Sequence, residues 1–427
     1  MIIDKKSIEQ HNDKGLKIHQ KKYDNLASIL AEEGKNVSKI LADVAAFQVA
    51  IPSWALGTGG TRFGRFPGGG EPSTLEQKIE DVGLLHALNG SSGAISLHIP
   101  WDIPTDANKI KSLAASFGLK FDAVNSNTFQ DQKDQKYSYK FGSLSNTDKA
   151  ARKQAIDHNI EVIKHGVNVG SKSLTVWLAD GSSFPGQQHF RRAFERTLES
   201  LQEIYAALPS DWSIFTEHKA YEPAFYSSVV SDWGSSLLFA QKLGTKASCL
   251  VDLGHHLPNA NIEQIVSRLM MEGKLGGFHF NDSKYSDDDL TVGSIKPYQL
   301  FLIFNELVDG MTSSKVKNPE LGWMIDASHN IKDPLEDLLQ SVDAIMLAYA
   351  QALIIDRKAL ELAQTQNDVV SAQEILQNAY RTDVRPLLAE ARKMAGVAID
   401  PLAFYRENQV RHQLIKDRGE KTLATGL

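Results

Sequence analysis

The chain has 427 residues, of which 42 % are hydrophobic and 23 % charged, as in an ordinary soluble globular protein. Its 46 Lys and Arg against 52 Asp and Glu give a net charge of −6, which supplies no field to attract nucleic acid or an anionic membrane. No apolar stretch has the length of a signal peptide or a membrane span. The single cysteine, Cys249, cannot form an internal disulfide, which fits a reducing compartment. We therefore expect a cytoplasmic protein with no nucleic-acid or membrane partner.

Strand-like and helix-like segments alternate after a polar helical stretch over residues 1–45. Eight alternations fit a closed parallel sheet better than an open one, so the sequence predicts an α/β fold, a (β/α)₈ TIM barrel over residues 46–356. Residues 357–427 predict a C-terminal helical extension suited to oligomer contacts, with a loose charged tail after Arg411. The predicted strands are 47–54, 94–99, 121–124, 174–178, 213–216, 248–251, 277–280 and 323–325.

The segment between the first strand and the end of the first helix contains a glycine-rich loop and residues that predict where the helix begins and ends. Residues 57–70 form a glycine-rich loop that lacks the Gly-Lys-Ser/Thr ending of a phosphate-binding loop. With Phe63 and Phe66 in it, this loop favours a lid or an arm that reaches a neighbouring subunit over a passive connection. The pattern Ser73-Thr-Leu-Glu76 predicts a capping box at the start of the helix, and Asn89-Gly90 predicts its end.

Acidic and histidine residues stand at or just beyond the ends of four apolar runs. Glu217 ends one run, Asp252 another, and His279 and Asp326 two more. Such groups are costly to bury unless something pairs with them, and a divalent cation is the simplest partner for carboxylates and imidazoles. Each residue alone is more often a helix cap or a core histidine, but their recurrence at successive strand ends favours a metal site. The predicted metal ligands are Glu217, Asp252, His255, His279, Asp287, Asp289 and Asp326.

The ligands divide into two sets. Asp287 and Asp289 alternate in a polar loop and can grip one ion together, although a solvated acidic turn is the simpler interpretation of these two residues alone. The residues at the strand ends can hold a second ion, and Glu217, with two oxygens, can bridge both. Two neighbouring ions would orient a polyol and polarise its oxygens.

Further candidates surround these ligands. Lys219 shares a strand face with Glu217 and can donate to a developing alkoxide, unless it is a surface lysine. His98 ends the second strand and can hydrogen-bond a sugar. As an alternative, the nearby aromatic residues are ordinary core side chains. The predicted substrate-binding wall consists of His98, Trp101, Phe129 and Trp177, with Lys219 and His255 at its edge.

The combined motifs resemble those of the L-rhamnose isomerases, and most of all the Pseudomonas-type branch of that family. The likeness covers essentially the whole chain. The motifs that carry it are WALGTGGTRFGRFP at residues 54–67, LHIPWD at 97–102, EHK at 217–219, DLGHH at 252–256, FHFNDS at 278–283 and IDASH at 325–329.

This resemblance implies a homotetrameric (β/α)₈ barrel that interconverts L-rhamnose and L-rhamnulose and tolerates rarer aldohexoses such as D-allose. It implies two divalent cations, with Mn²⁺ expected ahead of Co²⁺ or Zn²⁺. It also implies that Phe63 or Phe66 reaches the site of a neighbouring subunit. The implied ligands are Glu217, Asp252, His279 and Asp326 for a structural ion, and Glu217, His255, Asp287 and Asp289 for a catalytic ion.

The expected reaction moves hydrogen between C1 and C2 of an open-chain sugar. Asp326 or Asp289 would direct removal of the O2 proton, and Lys219 or His98 would stabilise charge at O1. Direct hydride transfer and an enediol route both remain open. Two other functions remain open as well: a ketose 3-epimerase on a related barrel, for which no second acidic base stands out, and a non-catalytic sugar-binding protein that keeps metals for structure. A metal-dependent nuclease fits the negative charge poorly.

Overall fold

A computed structural model of the chain describes residues 3–58, 64, 66–222, 226–329 and 331–422. Eight parallel strands close into a barrel in chain order, and the last strand pairs back onto the first. The predicted (β/α)₈ barrel is therefore confirmed. The barrel strands are β1 (Ala50–Pro52), β2 (Ala94–Ile99), β3 (Lys120–Ser126), β4 (Ser173–Trp177), β5 (Ser213–Glu217), β8 (Ala247–Asp252), β9 (Leu275–Phe280) and β10 (Gly322–Ile325). A small antiparallel ribbon of β6 (Tyr221–Glu222) and β7 (Tyr226–Ser227) follows β5.

One helix follows each barrel strand and covers the outside of the sheet, and further helices lie at both ends of the chain. Among the described residues no single helix is long and apolar enough to cross a bilayer, although the helices Pro334–Leu353 and Arg357–Thr365, bent by 68° where they meet, would reach that length and composition together. The terminal helices are α1 (Lys5–Glu32), α2 (Val37–Ala46), α11 (Arg357–Thr365), α12 (Val369–Arg381), α13 (Arg385–Ala395), α14 (Pro401–Glu407) and α15 (Val410–Arg418). The barrel helices are α3 (Leu75–Asn89), α4 (Ala107–Ser116), α5 (Lys149–Val169), α6 (Phe190–Ala206), α7 (Trp233–Leu243), α8 (Ile262–Met271), α9 (Pro297–Thr312) and α10 (Pro334–Leu353).

A small apolar cluster, separate from the main core, includes Phe215, Leu250 and Met324 from three barrel strands. Each of these residues lies two positions before an acidic residue: Glu217, Asp252 or Asp326. Because alternate side chains of a strand point the same way, the three acids extend the same face toward the carboxyl ends of the strands. The apolar cluster therefore forms the floor beneath them.

The first barrel helix begins one residue later than the predicted capping box requires. The Thr74 side chain is the actual cap and accepts a hydrogen bond from the Gln77 backbone N–H. The Ser73 hydroxyl instead donates to the side chain of Gln77, so the prediction of Ser73 as the cap is wrong. Asn89 ends the helix as predicted, and Gly90 adopts the left-handed conformation at φ 68° that glycine favours.

The prediction of a loose tail after Arg411 is wrong for the residues that the structure describes. Helix α15 packs against the end of the glycine-rich loop, where a side chain on Gly70 would collide with the α15 backbone. The Arg411 guanidinium hydrogen-bonds Asp333, and that of Arg418 hydrogen-bonds Asp81. Two charges of the tail, on Arg411 and Arg418, thus have acidic partners elsewhere in the chain, which a pattern of apolar residues does not reveal.

Candidate active site

The carboxyl ends of four barrel strands bring together the acidic and histidine residues that the sequence singles out. Glu217 ends β5, Asp252 ends β8, His279 lies near the end of β9, and Asp326 directly follows β10. Parallel strands of a barrel end at the same face, so residues far apart in the chain meet there. Glu217, Asp252 and His279 are buried, whereas the Asp326 side chain keeps a quarter of its surface exposed.

Glu217, Asp252 and His279 form the first candidate metal group, with one ligand atom from each within 4.8 Å of the others. The Nδ1 atom of His279 lies 3.0 Å from Oε1 of Glu217 and 3.9 Å from Oδ2 of Asp252. Asp326 borders this group, with its Oδ2 atom 3.8 Å from the same histidine nitrogen.

Asp252, His255 and Asp287 form the second candidate group under the same distance limit. The Nε2 atom of His255 lies 3.3 Å from Oδ1 of Asp287 and 3.9 Å from Oδ2 of Asp252. Asp252 therefore belongs to both groups. The other nitrogen of His255 is 3.2 Å from Oε1 of Glu217, so Glu217 contacts an imidazole of each group, and its role as a bridging ligand stays a prediction.

The donor atoms fit a divalent cation. Oδ1 of Asp252 accepts hydrogen bonds from the Gly254 backbone N–H and from Asn281, which fixes the carboxylate. Its Oδ2 atom is buried and has no hydrogen-bond partner among the described residues. Buried polar atoms without partners are costly, and a cation held by oriented carboxylates and imidazoles removes that cost.

The electrostatics of the site show how strongly negative it is. Burial alone would lower the pKa of His279, but its attraction to Glu217, Asp326 and Asp252 and its hydrogen bond to Glu217 together outweigh burial and raise the pKa to about 9. Burial raises the pKa of the Asp252 carboxyl to about 7. The pKa of Glu217 is lowered despite its burial, because both His279 and His255 attract its charge. A field that holds protons on imidazoles also attracts a metal cation.

Asp289 lies beside the second group and not within it. Asp289 is buried, and its backbone takes the left-handed conformation at φ 47°, which is uncommon for residues other than glycine. Its carbonyl accepts the Ser328 backbone N–H at 2.9 Å, and its Oδ2 atom accepts the Ser328 hydroxyl at 3.4 Å. The role of Asp289 as a ligand stays a prediction.

The four predicted wall residues lie together as an aromatic wall beside His255, and their role in binding a sugar stays a prediction. His98 stacks on Trp101 with ring centres 4.2 Å apart, and Phe129 lies edge-on to His98 at 5.7 Å and 4.6 Å from Trp177. Trp177 in turn lies 6.4 Å from His255. Burial lowers the pKa of His98 to about 3, so this imidazole is neutral near pH 7 and can both donate and accept hydrogen bonds.

Lys219 is buried inside the site and is not a surface lysine. Its Nζ atom lies 2.7 Å from Oδ2 of Asp287 and 2.8 Å from Oε2 of Glu222. It also lies 4.9 Å from the centre of the Trp177 ring, on the side of the wall that faces the ligands. The ammonium group is thus placed between the second metal group and the aromatic wall.

Sequence reasoning missed several residues of the site. The Trp54 indole N–H donates to Oδ1 of Asp326 at 2.8 Å, and Asn281 orients Asp252. Asp102 accepts the His98 backbone N–H at 2.8 Å and forms a buried ion pair with Lys78 at 2.6 Å. Trp54, Asn281 and Asp102 stand within the motifs that carry the family resemblance, and that was the signal available for them. The missed residues are Trp54, Lys78, Asp102, Glu222 and Asn281.

Of the two phenylalanines in the glycine-rich loop, the structure describes only Phe66, and it does not bring Phe66 to this site. Phe63 lies outside the described residues. Phe66 is described, and 63 % of its surface is exposed. Its predicted contact with a neighbouring subunit stays a prediction.

Comparison with known proteins places the whole chain in a family. No family model matches the sequence. A probable sugar isomerase of Mesorhizobium japonicum is 54 % identical over 425 residues, which cover 100 % of this chain and 98 % of the relative. A probable sugar isomerase of Rhizobium meliloti is 56 % identical over 396 residues, 93 % of this chain and 92 % of the relative. The chain belongs to this family of probable sugar isomerases.

Solved structures with the same fold are more distant. A structure of L-ribulose 3-epimerase superposes with a TM-score of 0.51 at 15 % identity, over 77 % of this chain and 99 % of the other. A 3-keto-D-glucoside 4-epimerase of E. coli gives a TM-score of 0.51 at 11 % identity, over 70 % of this chain and 98 % of the other. These likenesses establish the barrel that the family shares with sugar epimerases.

Proposed function

We propose that the protein is a metal-dependent aldose–ketose isomerase that converts L-rhamnose to L-rhamnulose and accepts other aldohexoses such as D-allose. The observation that carries the proposal is the pair of ligand groups that share Asp252 and face an aromatic wall. Two adjacent cation sites suit a sugar whose neighbouring oxygens must be held and polarised together. The names of the two relatives and the motif resemblance support the same reaction class.

The chain's own residues divide the chemistry between them. Divalent cations, with Mn²⁺ expected, would supply the polarisation of the sugar oxygens. Asp326, whose pKa is raised by burial, accepts the proton that leaves the O2 hydroxyl. As hydrogen passes with its electron pair from C2 to C1, C2 becomes the carbonyl carbon and O1 takes a proton. Lys219 or His98 donates to O1 and stabilises its charge.

A sugar panel assayed before and after chelation tests the proposal. We expect turnover of L-rhamnose that is lost on removal of metal and restored by Mn²⁺. Proton NMR in D₂O then resolves the route, because direct hydride transfer leaves no deuterium at C1 and an enediol admits it. Sugar binding without any turnover in the presence of Mn²⁺ would refute the isomerase proposal and favour a sugar-binding protein.

A ketose 3-epimerase is the second candidate. The L-ribulose 3-epimerase shares the barrel, and the structure supplies two carboxylates from different strand ends, Glu217 and Asp326, both within 4 Å of Nδ1 of His279. Such a pair is what removal and return of a proton at C3 requires. The same NMR experiment with a ketose decides between the candidates: deuterium at C3 with formation of the epimer favours the epimerase, and formation of an aldose favours the isomerase.

We also propose a cytoplasmic homotetramer in which Phe63 or Phe66 completes the site of a neighbouring subunit. The exposure of Phe66 supports a contact with a neighbouring subunit, since a large aromatic side chain exposed to water is unfavourable. Light scattering measures the assembly directly. A monomer with full activity would contradict the contribution of a neighbour.

A further inference from the structure

Lys219 has two acidic partners where one would balance its charge. The ammonium lies between Asp287 and Glu222 at 2.7 and 2.8 Å, and the three side chains keep only 2 %, 2 % and 10 % of their surface exposed. Asp287 belongs to the second candidate metal group. Glu222 belongs to neither group and has no part in the reaction as proposed above.

A dedicated element presents Glu222 to the lysine. Glu222 lies on β6 of the small ribbon that follows β5, only three residues after Lys219. The hydroxyl of the adjacent Tyr221 is 2.9 Å from that of Ser286, which precedes Asp287. The ribbon is therefore tied to the loop that carries the ligand, so Glu222, Lys219 and Asp287 are held together from both sides.

A cation at the second group and the Lys219 ammonium would compete for the carboxylate of Asp287. When a divalent ion binds Asp287, repulsion disfavours the ammonium at its present distance from that residue. A buried ammonium without an acidic partner is also costly. Glu222 resolves the conflict because it remains beside the lysine when Asp287 turns to the ion.

We propose that Glu222 is a positioning residue that anchors Lys219 and so frees Asp287 for the second divalent cation. Its role in turnover, through the lysine that serves O1, rests on the proposed isomerase function. Its role in metal binding does not depend on which sugar reaction the protein performs.

Titration of metal-stripped protein with Mn²⁺ by calorimetry, with free Mn²⁺ counted by electron paramagnetic resonance, tests the proposal. We expect wild type to bind two ions. Glu222→Gln should weaken one of them by about 10- to 100-fold, the range for residues that orient metal ligands, and leave the other unchanged. In the Lys219→Met background the same Glu222→Gln substitution should have little effect, because no ammonium then competes for Asp287.

Control variants separate anchoring from simpler effects. Glu272→Gln, at an exposed position just beyond α8, removes the same charge and should bind both ions normally. Glu222→Asp keeps the charge and should recover part of the affinity, and thermal unfolding verifies that each variant folds. Equal weakening with and without Lys219 would show that Glu222 acts through its own charge and would overturn the proposal. So would unchanged affinity in Glu222→Gln, or a wild type that binds fewer than two ions.

The outcomes also separate this proposal from the proposed function. A wild type that binds two ions, shows the expected dependence on Lys219, and turns over no aldose would refute the isomerase while the anchoring role stands. If the protein is an active isomerase and Glu222→Gln binds the second ion with unchanged affinity, only the anchoring role of Glu222 is refuted.

Discussion

At the scale of single residues, Asp252 differs from the other acidic residues because it belongs to both candidate metal groups. Its two oxygens have separate surroundings, since one is held by Gly254 and Asn281 and the other points to the histidines. We predict that Asp252→Asn abolishes binding of both ions, whereas Asp287→Asn abolishes only one. Metal content after dialysis against Mn²⁺ measures this directly. An Asp252→Asn variant that keeps two ions would show that the groups do not share a ligand.

The ion pair beneath the aromatic wall gives a second prediction at this scale. Lys78 and Asp102 are almost fully buried, and Asp102 also holds the His98 backbone. Lys78→Met leaves the Asp102 charge buried without its cation, so we expect the free energy of unfolding to fall by about 3–5 kcal/mol in urea denaturation. Lys109→Met, which breaks the exposed pair with Glu76, is the control and should scarcely move the midpoint. Similar losses in both variants would contradict the role of burial.

The sequence predicts a residue of the site where a polar side chain interrupts or ends an apolar run. Glu217, Asp252 and His279 are polar groups within or at the end of apolar runs, and that contrast is visible in the sequence. Glu222 follows Lys219 in an irregular segment whose ribbon has only two residues per strand, too short to show any periodicity. Its place in the site depends on Lys219, which also contacts Asp287, 68 residues farther along the chain, and sequence spacing does not encode that contact.

At the scale of elements, α15 depends on ion pairs more than on its own helical pattern. Its Arg418 guanidinium is 6 % exposed and contacts Asp81, which is 1 % exposed, and it also donates to the Gly70 carbonyl. Burial raises the pKa of the Asp81 carboxyl, and Arg418 opposes that rise. The helix therefore holds the end of the glycine-rich loop in place through buried charges.

We predict that Arg418→Ala releases this helix. Loss of the guanidinium leaves Asp81 buried without its partner, at a cost of about 3 kcal/mol. Limited proteolysis should then cut the C-terminal segment faster than in wild type. Lys416→Ala removes an exposed charge of the same helix and should leave the cleavage rate unchanged. Equal rates for Arg418→Ala and wild type would show that apolar contacts alone hold α15.

At the scale of the whole molecule, the closed barrel follows from the number and order of the repeats. Each strand run is followed by a helical pattern, and eight such units return the last strand to the first, where Met324 pairs with Ala50. The sequence could not show how the chain ends pack on the barrel, because residues such as Arg411 and Asp333 meet across 78 positions. Local patterns predict the repeating unit, and long-range ion pairs fix its surroundings.

The charge cluster at the mouth of the barrel should make the stability of the metal-free protein depend on pH. The pKa of His279 is raised from 6.5 to about 9 in the folded chain, and that of His255 is raised well above its usual value. Their stabilising effect is fully present below pH 6.5 and is lost as pH rises to 9, where we expect a loss of up to about 3 kcal/mol in urea denaturation of chelated protein. His98 and His218, with pKa values lowered to about 3 and about 4, are neutral in the folded chain across this window, and they offset the loss only near pH 6.5, where the unfolded imidazoles still carry part of their charge. Saturating Mn²⁺ should abolish or reverse the trend, since metal binds deprotonated imidazoles better. A metal-free protein equally stable at pH 6.5 and 9 would mean that the histidines are not held charged by the carboxylates, and the electrostatic case for a cation at this mouth would fail.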